Sequence, residues 1–168
     1  MDWDTYFITM SFFVAMKSKD QSSKVGAVIV GPDNEIRSTG YNGLPRGVQD
    51  NTDMHPERHQ RPTKYFYYEH GERNAIYNAA RMGTKLAGCK IYTPGTPCAD
   101  CARGIIQSGI TEVITYGPWD DTEDREKWQE SSKHTKIMLE DSNVHLREYS
   151  GSIQSIIKAI RGGKNFEL

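Results

Sequence analysis

The chain has little of what would fix its class by bulk properties alone. Its 168 residues contain three cysteines, a small and odd number that excludes a disulfide framework. No apolar run approaches a membrane span, and Met1-Asp2-Trp3-Asp4 puts acidic residues where a secretion signal carries basic ones. Both absences point to the cytoplasm, where reducing conditions keep thiolates available to a metal. Charge of one sign is also missing: 21 Lys and Arg stand against 22 Asp and Glu, for a formal net charge of −1. Long-range attraction to a polyanion is therefore weak, and a small molecule fits better as partner than a long nucleic acid or a membrane. There is no internal repeat and no low-complexity stretch. The length suits one domain over 1–168, large enough to bury a core without covalent staples.

What is present is concentrated in two short motifs, His70-Gly71-Glu72 and Pro97-Cys98-Ala99-Asp100-Cys101. His70, Cys98 and Cys101 are three ligands suited to zinc, and three protein ligands leave its fourth tetrahedral position open to water. Cys98 and Cys101 share one face of a first turn if Pro97 opens a helix, and a helix start favours thiolate. Glu72 stands two residues from His70, the wrong face of a helix for joining it on the metal, and reads as a proton shuttle. An H-x-E motif with a downstream P-C-x-x-C matches the signature of zinc-dependent base deaminases. A closed zinc site with Cys89 as fourth ligand is a rival. Against it, Gly88-Cys89-Lys90-Ile91-Tyr92 reads as a strand, where free cysteine is a buried apolar group. A thioredoxin-like redox pair expects a βαβ context that Cys98 lacks.

Periodicity supplies the scaffold. Trp3, Tyr6, Phe7, Met10, Phe13 and Val14 recur at three and four, predicting a helix from Trp3 to Met16 that packs by that stripe. Val25 to Val30 and Glu35 to Tyr41 flank Gly31-Pro32-Asp33-Asn34 as a hairpin. Further strands are expected at Cys89 to Thr93, Glu112 to Tyr116 and Val144 to Tyr149. Helices are expected at Glu69 to Met82, Cys98 to Ser108, Thr122 to Glu140 and Ser152 to Ile160, with 162–168 a frayed tail. A hairpin followed by alternating strands and helices implies an α/β fold with a mixed sheet, later strands parallel and helices on both faces. Residues 42–68 are too long for an idle connection and read as a functional loop. Asp120 to Lys133, rich in both charges, reads as the solvated face of a helix.

Four segments carry a family resemblance: Ser23 to Val30 (SKVGAVIV), Gly40 to Gly47 (GYNGLPRG), His70 to Ile76 (HGERNAI) and Pro97 to Ala102 (PCADCA). In this order the chain, from about Trp3 to Tyr149, resembles the deoxycytidylate (dCMP) deaminases of the cytidine deaminase superfamily. It departs in having Gly71 where the family usually has alanine, and in the His, Arg and Tyr content of the segment from Thr52 to Tyr68. The resemblance implies a three-layer α/β/α sandwich with a five-stranded mixed sheet, the cytidine deaminase-like fold. It implies one catalytic Zn2+ per chain on His70, Cys98 and Cys101, with Glu72 moving protons as dCMP becomes dUMP. The backbone N–H of Gly71 would hold the pyrimidine carbonyl and Asn42 would meet the sugar 3′-hydroxyl, although Asn42-Gly43 also reads as a plain turn. Lys24, Arg46 and Arg73 are the candidates for the phosphate, each also explicable as a solvated charge.

The resemblance further implies a homo-oligomer, a hexamer, with dCTP and dTTP as effectors. His55 and His59, with Glu57 or Glu69 nearby, have the spacing by which some phage members hold a second zinc. With no cysteine close by, they read instead as solvated loop histidines. Tyr65-Phe66-Tyr67-Tyr68, just before His70, reads equally as rings that stack on the base or line a subunit contact and as plain alternating burial along a loop. Two alternatives stay open: a deaminase of another aminated nucleotide or base, including tRNA adenosine, and a non-catalytic zinc-stabilised regulatory module.

Overall fold

A computed structural model describes residues 1–120, 129–153, 158–161 and 164–167. Helix α1, Trp3–Ala15, starts where the Asp2 side chain accepts from the Thr5 amide at 2.7 Å, an N-cap that satisfies one free donor of the first turn. Strands β1 (Gly26–Val30) and β2 (Ile36–Tyr41) form the expected antiparallel hairpin. Next come the long loop with a short 3-10 turn at Pro56–His59, helix α2 (Lys64–Tyr67), α3 (Gly71–Met82) and β3 (Lys90–Thr93). The chain continues through α4 (Ala99–Gln107), β4 (Glu112–Tyr116), α5 (Gly117–Asp120), α6 (Gln129–Asp141) and β5 (His145–Tyr149).

The sheet order is β2-β1-β3-β4-β5, with β1 antiparallel to both neighbours and β3, β4 and β5 mutually parallel. Alternation along the strands divides the core. Ala27, Ile29, Ile91 and Val113 face α3, α4 and α6, while Val28, Val30, Tyr92 and Ile114 face α1. Burial on both faces explains why β1 reads as an unbroken apolar run. This is the five-stranded, three-layer α/β fold that the sequence implies.

Two expectations are corrected. The buried side of α1 is Thr5, Phe7, Ile8, Ser11 and Ala15, whereas Trp3, Tyr6 and Phe13 of the aromatic stripe are exposed. The reason is close approach: a Cβ on Gly26 would fall on the Ser11 carbonyl and 2.6 Å from the Ala15 nitrogen, so the small residues of α1 must face β1. The helix expected from Ser152 to Ile160 is also absent where the chain is described. Lys158–Arg161 is a strand, β6, paired antiparallel with β7, Lys164–Glu167. Isoleucine at 153, 156, 157 and 160 mimics helical spacing, but β-branched residues followed by Gly162-Gly163 are equally a hairpin pattern. Of the expected helix Thr122 to Glu140, 121–128 lie outside the described residues. No described helix is long and apolar enough to cross a membrane.

Candidate active site

With β1 alone reversed, the amino end of β1 and the carboxyl ends of β2, β3 and β4 meet at one edge of the sheet. The segments leaving that edge line a single cavity of about 1550 Å³: Asp20 to Val25, Asn42, Gly95-Thr96 and Trp119, joined by His70, Glu72 and Cys98. α6 closes one side with Ser131, Lys133 and Lys136. The charged stretch read as a solvated face therefore contributes, in its described part, to the cavity wall.

His70 occupies the N-cap position of α3, in extended conformation. Its place is set by its neighbours. Gly43 and Glu69 exchange backbone hydrogen bonds of 3.0 and 2.8 Å, and Asn74 and Asn78 donate to the Tyr41 and Thr39 carbonyls at 2.8 and 2.7 Å. Gly40 lets α3 lie directly on β2, since a Cβ there would fall on the Ala75 nitrogen and the Gly71 carbonyl. Gly71 is buried in turn, and a Cβ there would stand 2.9 Å from the Val25 carbonyl. Cys98 is the N-cap of α4, one residue before the helix expected to start on it. The Ser131 hydroxyl accepts from the Ala99 amide at 2.9 Å, and Thr135 donates to the Pro97 carbonyl at 2.8 Å. Neither supporting residue carries a sequence signal, because the contact joins segments remote in the chain.

The ligand atoms of His70, Cys98 and Cys101 lie within 4.8 Å of one another. Cys98 Sγ is 3.4 Å and Cys101 Sγ 3.5 Å from His70 Nδ1. A tetrahedral zinc holds nitrogen and sulfur ligands roughly 3.6 Å apart, so the group fits that ion. Cys89 is buried outside the group, its sulfur 3.9 Å from the Lys85 carbonyl, which removes the fourth ligand of the closed-site reading. The three side chains share charge. Bonds from Cys101 and His70 draw Cys98 down to about 4, and the bond to Cys98 lifts His70 to about 9. The same Cys98 contact, with burial, pushes the Cys101 thiol up.

Glu72 is 4% exposed and its Oε2 is buried without a hydrogen-bond partner among the described residues. Burial raises its pKa above the usual carboxylate range, against the opposing charge of His70. A carboxyl so placed readily takes up and gives back a proton.

The other expected residues divide. Lys24, Asn42 and Arg73 reach the cavity lining, whereas Arg46 does not, and donates to Asn78 Oδ1 at 2.6 Å. Arg73 is engaged by Glu69 and by Asp100 at 3.7 Å. The Asn42 amide donates to the Ser23 carbonyl at 2.8 Å and to Asp20 at 3.2 Å, while its Oδ1 accepts from the Val25 amide at 2.8 Å. Tyr65 and Tyr68 line the cavity, and Phe66 is exposed. His59 Nδ1 meets the Tyr68 hydroxyl at 2.7 Å, and His55 lies 3.5 Å from Glu57.

A five-stranded mixed sheet carrying a His-Cys-Cys donor group beside a buried carboxyl at its edge has the make-up of a zinc-dependent hydrolase. Residues 1–117 match the family described as the cytidine and deoxycytidylate deaminase zinc-binding region, and the chain belongs to that family. It is 36% identical over 163 residues to the deoxycytidylate deaminases of Mus musculus and Homo sapiens, covering 94% of this chain and 85% of theirs. An uncharacterized deaminase in the luxG 3′ region of Aliivibrio fischeri is 39% identical over 145 residues, 86% of this chain and 91% of that protein. Among solved structures, dCMP deaminase of the cyanophage S-TIM5 in apo form superposes with a TM-score of 0.65 at 22% identity, covering 87% of this chain and 96% of its own. That enzyme in complex with dCMP and dUMP superposes at 0.63 and 20% identity, covering 86% and 94%. These two show the shared fold.

Proposed function

We propose that the protein hydrolyses dCMP to dUMP and ammonia. The observation that carries the chemistry is the buried Glu72 carboxyl, one oxygen of which has no partner among the described residues, next to a three-donor group. The choice of dCMP is supported by the 36% identity to deoxycytidylate deaminases along 94% of the chain. His70, Cys98 and Cys101 would hold one zinc ion, which when bound acidifies a water so that hydroxide is available at neutral pH. Glu72 takes a proton from the attacking water and delivers it to ring N3; it then carries the proton of the new C4 hydroxyl to the departing amine, so that C4=O forms and ammonia leaves. The Gly71 N–H, at the first turn of α3, holds the pyrimidine carbonyl. Asn42 stands beside the sugar, its amide already bound to the 20–25 segment, so its part includes shaping that wall. Of the three cations expected at the phosphate, Lys24 lines the cavity with no acidic partner among the described residues, whereas Arg73 is shared with two carboxylates and Arg46 lies outside the lining.

The deciding experiment measures ammonia release from cytosine and adenine compounds at base, nucleoside and nucleotide level, with zinc content. Expected are one zinc per chain and turnover of dCMP, with Glu72→Gln losing about 10²–10⁴-fold in kcat while keeping zinc and fold. Zinc-loaded protein that spares dCMP and converts another compound overturns the substrate. Loss of neither zinc nor activity in Glu72→Gln overturns the mechanism. The reading extends to a cytoplasmic homo-oligomer, hexameric as in the family, whose rate responds to dCTP and dTTP. Light scattering and rates with each triphosphate test that extension.

A further inference from the structure

Lys64 and Asp20 are 5% and 4% exposed, an ion pair enclosed by protein and separated by more than forty residues of chain. Lys64 Nζ donates to Asp20 Oδ2 at 2.8 Å, to Oδ1 at 3.1 Å and to the Ser22 hydroxyl. An ammonium has three N–H bonds, and these partners absorb all of them. Lys64 lies at the cavity but has no donor left for a ligand. Asp20 is equally committed: Oδ1 also accepts from the Ser22 amide and hydroxyl, each at 2.8 Å, and Oδ2 from Asn42 at 3.2 Å. Burial would raise the Asp20 carboxyl, yet Lys64 and the Ser22 contacts hold it below the usual carboxylate range.

The pair joins two segments that no secondary structure connects. One is 20–25, the wall before β1, whose Ser23 and Lys24 face the cavity. The other is α2, the α-helical turn of the long loop; its Tyr65 and the capping Tyr68 flank the ammonium at 5.8 and 5.9 Å and also face the cavity. A charge pair is costly to bury unless its geometry is needed, and its loss on one side leaves an unmatched charge inside.

We propose that the Lys64–Asp20 pair is a latch that positions both walls of the substrate cavity, making Lys64 a positioning residue for binding rather than a ligand of the phosphate. Its kinetic expression rests on the proposed deamination of dCMP; its structural expression does not. The test compares Lys64→Met, Lys64→Arg and the double variant Asp20→Asn/Lys64→Met with the parent, all zinc-loaded. Amide hydrogen exchange, thermal melting and steady-state kinetics on dCMP are read on each.

Lys64→Met should speed exchange about tenfold or more in 20–25 and 64–68 together, and raise KM about tenfold with kcat within about twofold. Lys64→Arg, which keeps charge and donors, should recover most of the KM. The double variant, with no lone buried charge, should regain melting temperature but not KM. Parental exchange in both segments, or a KM that recovers along with the melting temperature, overturns the latch. Should Lys64→Met fail to fold, the double variant carries the same readouts. A parent that spares dCMP refutes the functional reading alone, because exchange still decides the latch.

Discussion

Replacing Gly40 by alanine tests whether the close seat of α3 on β2 sets the metal centre. The added methyl would fall on the Ala75 nitrogen and the Gly71 carbonyl, with the Asn74 carbonyl carbon 2.7 Å away. All three are backbone atoms, so no side chain can rotate aside and α3 must lift at its first turns. Overpacking of this kind costs about 1–3 kcal/mol, and an all-backbone obstacle belongs at the upper end. At 2–3 kcal/mol, a chain of this size should lose roughly 4–12 °C in melting temperature. The displaced atoms belong to the turns carrying His70 and Glu72, so kcat/KM should fall about tenfold or more, as expected for misplaced reacting groups.

Gly83→Ala is the control. Gly83 has φ +69 as the cap of the same helix, with open space around a new Cβ, so it should cost about 1–2 kcal/mol while leaving activity and zinc parental. Differential scanning calorimetry, zinc analysis and steady-state kinetics on the three proteins decide it. Gly40→Ala with parental zinc content and kcat/KM would refute the idea that this contact places the site.

Cys89→Ser should leave zinc per chain unchanged and destabilise by about 1–2 kcal/mol through a hydroxyl put into the core. Zinc loss on metal analysis would restore Cys89 to the ligand set. The Arg147 cluster gives a pH signature: hydrogen bonds of 2.7 and 3.0 Å hold Asp4 below its ordinary pKa, and Glu112, which burial raises, is held down by Arg147 at 2.9 Å. Carboxyls depressed in the fold stabilise it above their unfolded pKa, near 4, and cease to do so as pH falls through the lower folded values. Arg147→Met should therefore cost about 1 kcal/mol at pH 7, discounted for the partly exposed pair, and the gap to the parent should narrow below about pH 4. A gap independent of pH in thermal melts would dismiss the assignment.

Local pattern was enough for the five-stranded sheet and for singling out the His70, Cys98 and Cys101 group that the fold gathers beside a buried Glu72, because each rests on neighbours in the chain. H-x-E and P-C-x-x-C each occupy one helix start, and alternation or apolar runs mark each strand. What escaped prediction depends on tertiary contact. The inward face of α1 follows from the need of Gly26 for backbone contact, which outweighs an aromatic stripe. Ser131 and Thr135 support Cys98 from α6, across more than thirty residues. Lys64 carries no sequence signal of burial, yet it is enclosed against Asp20, far away in the chain. At the tail, isoleucines suited both periods, and local pattern had no means of choosing β6.

The reciprocal backbone bonds between Gly43 and Glu69 clasp the base of the 44–68 excursion one residue ahead of the first zinc donor. Drift or grafting can therefore rewrite that excursion with little mechanical disturbance to His70. Such a neck separates the excursion, whose Tyr65 and Tyr68 line the cavity, from the helix start that carries His70 and Glu72.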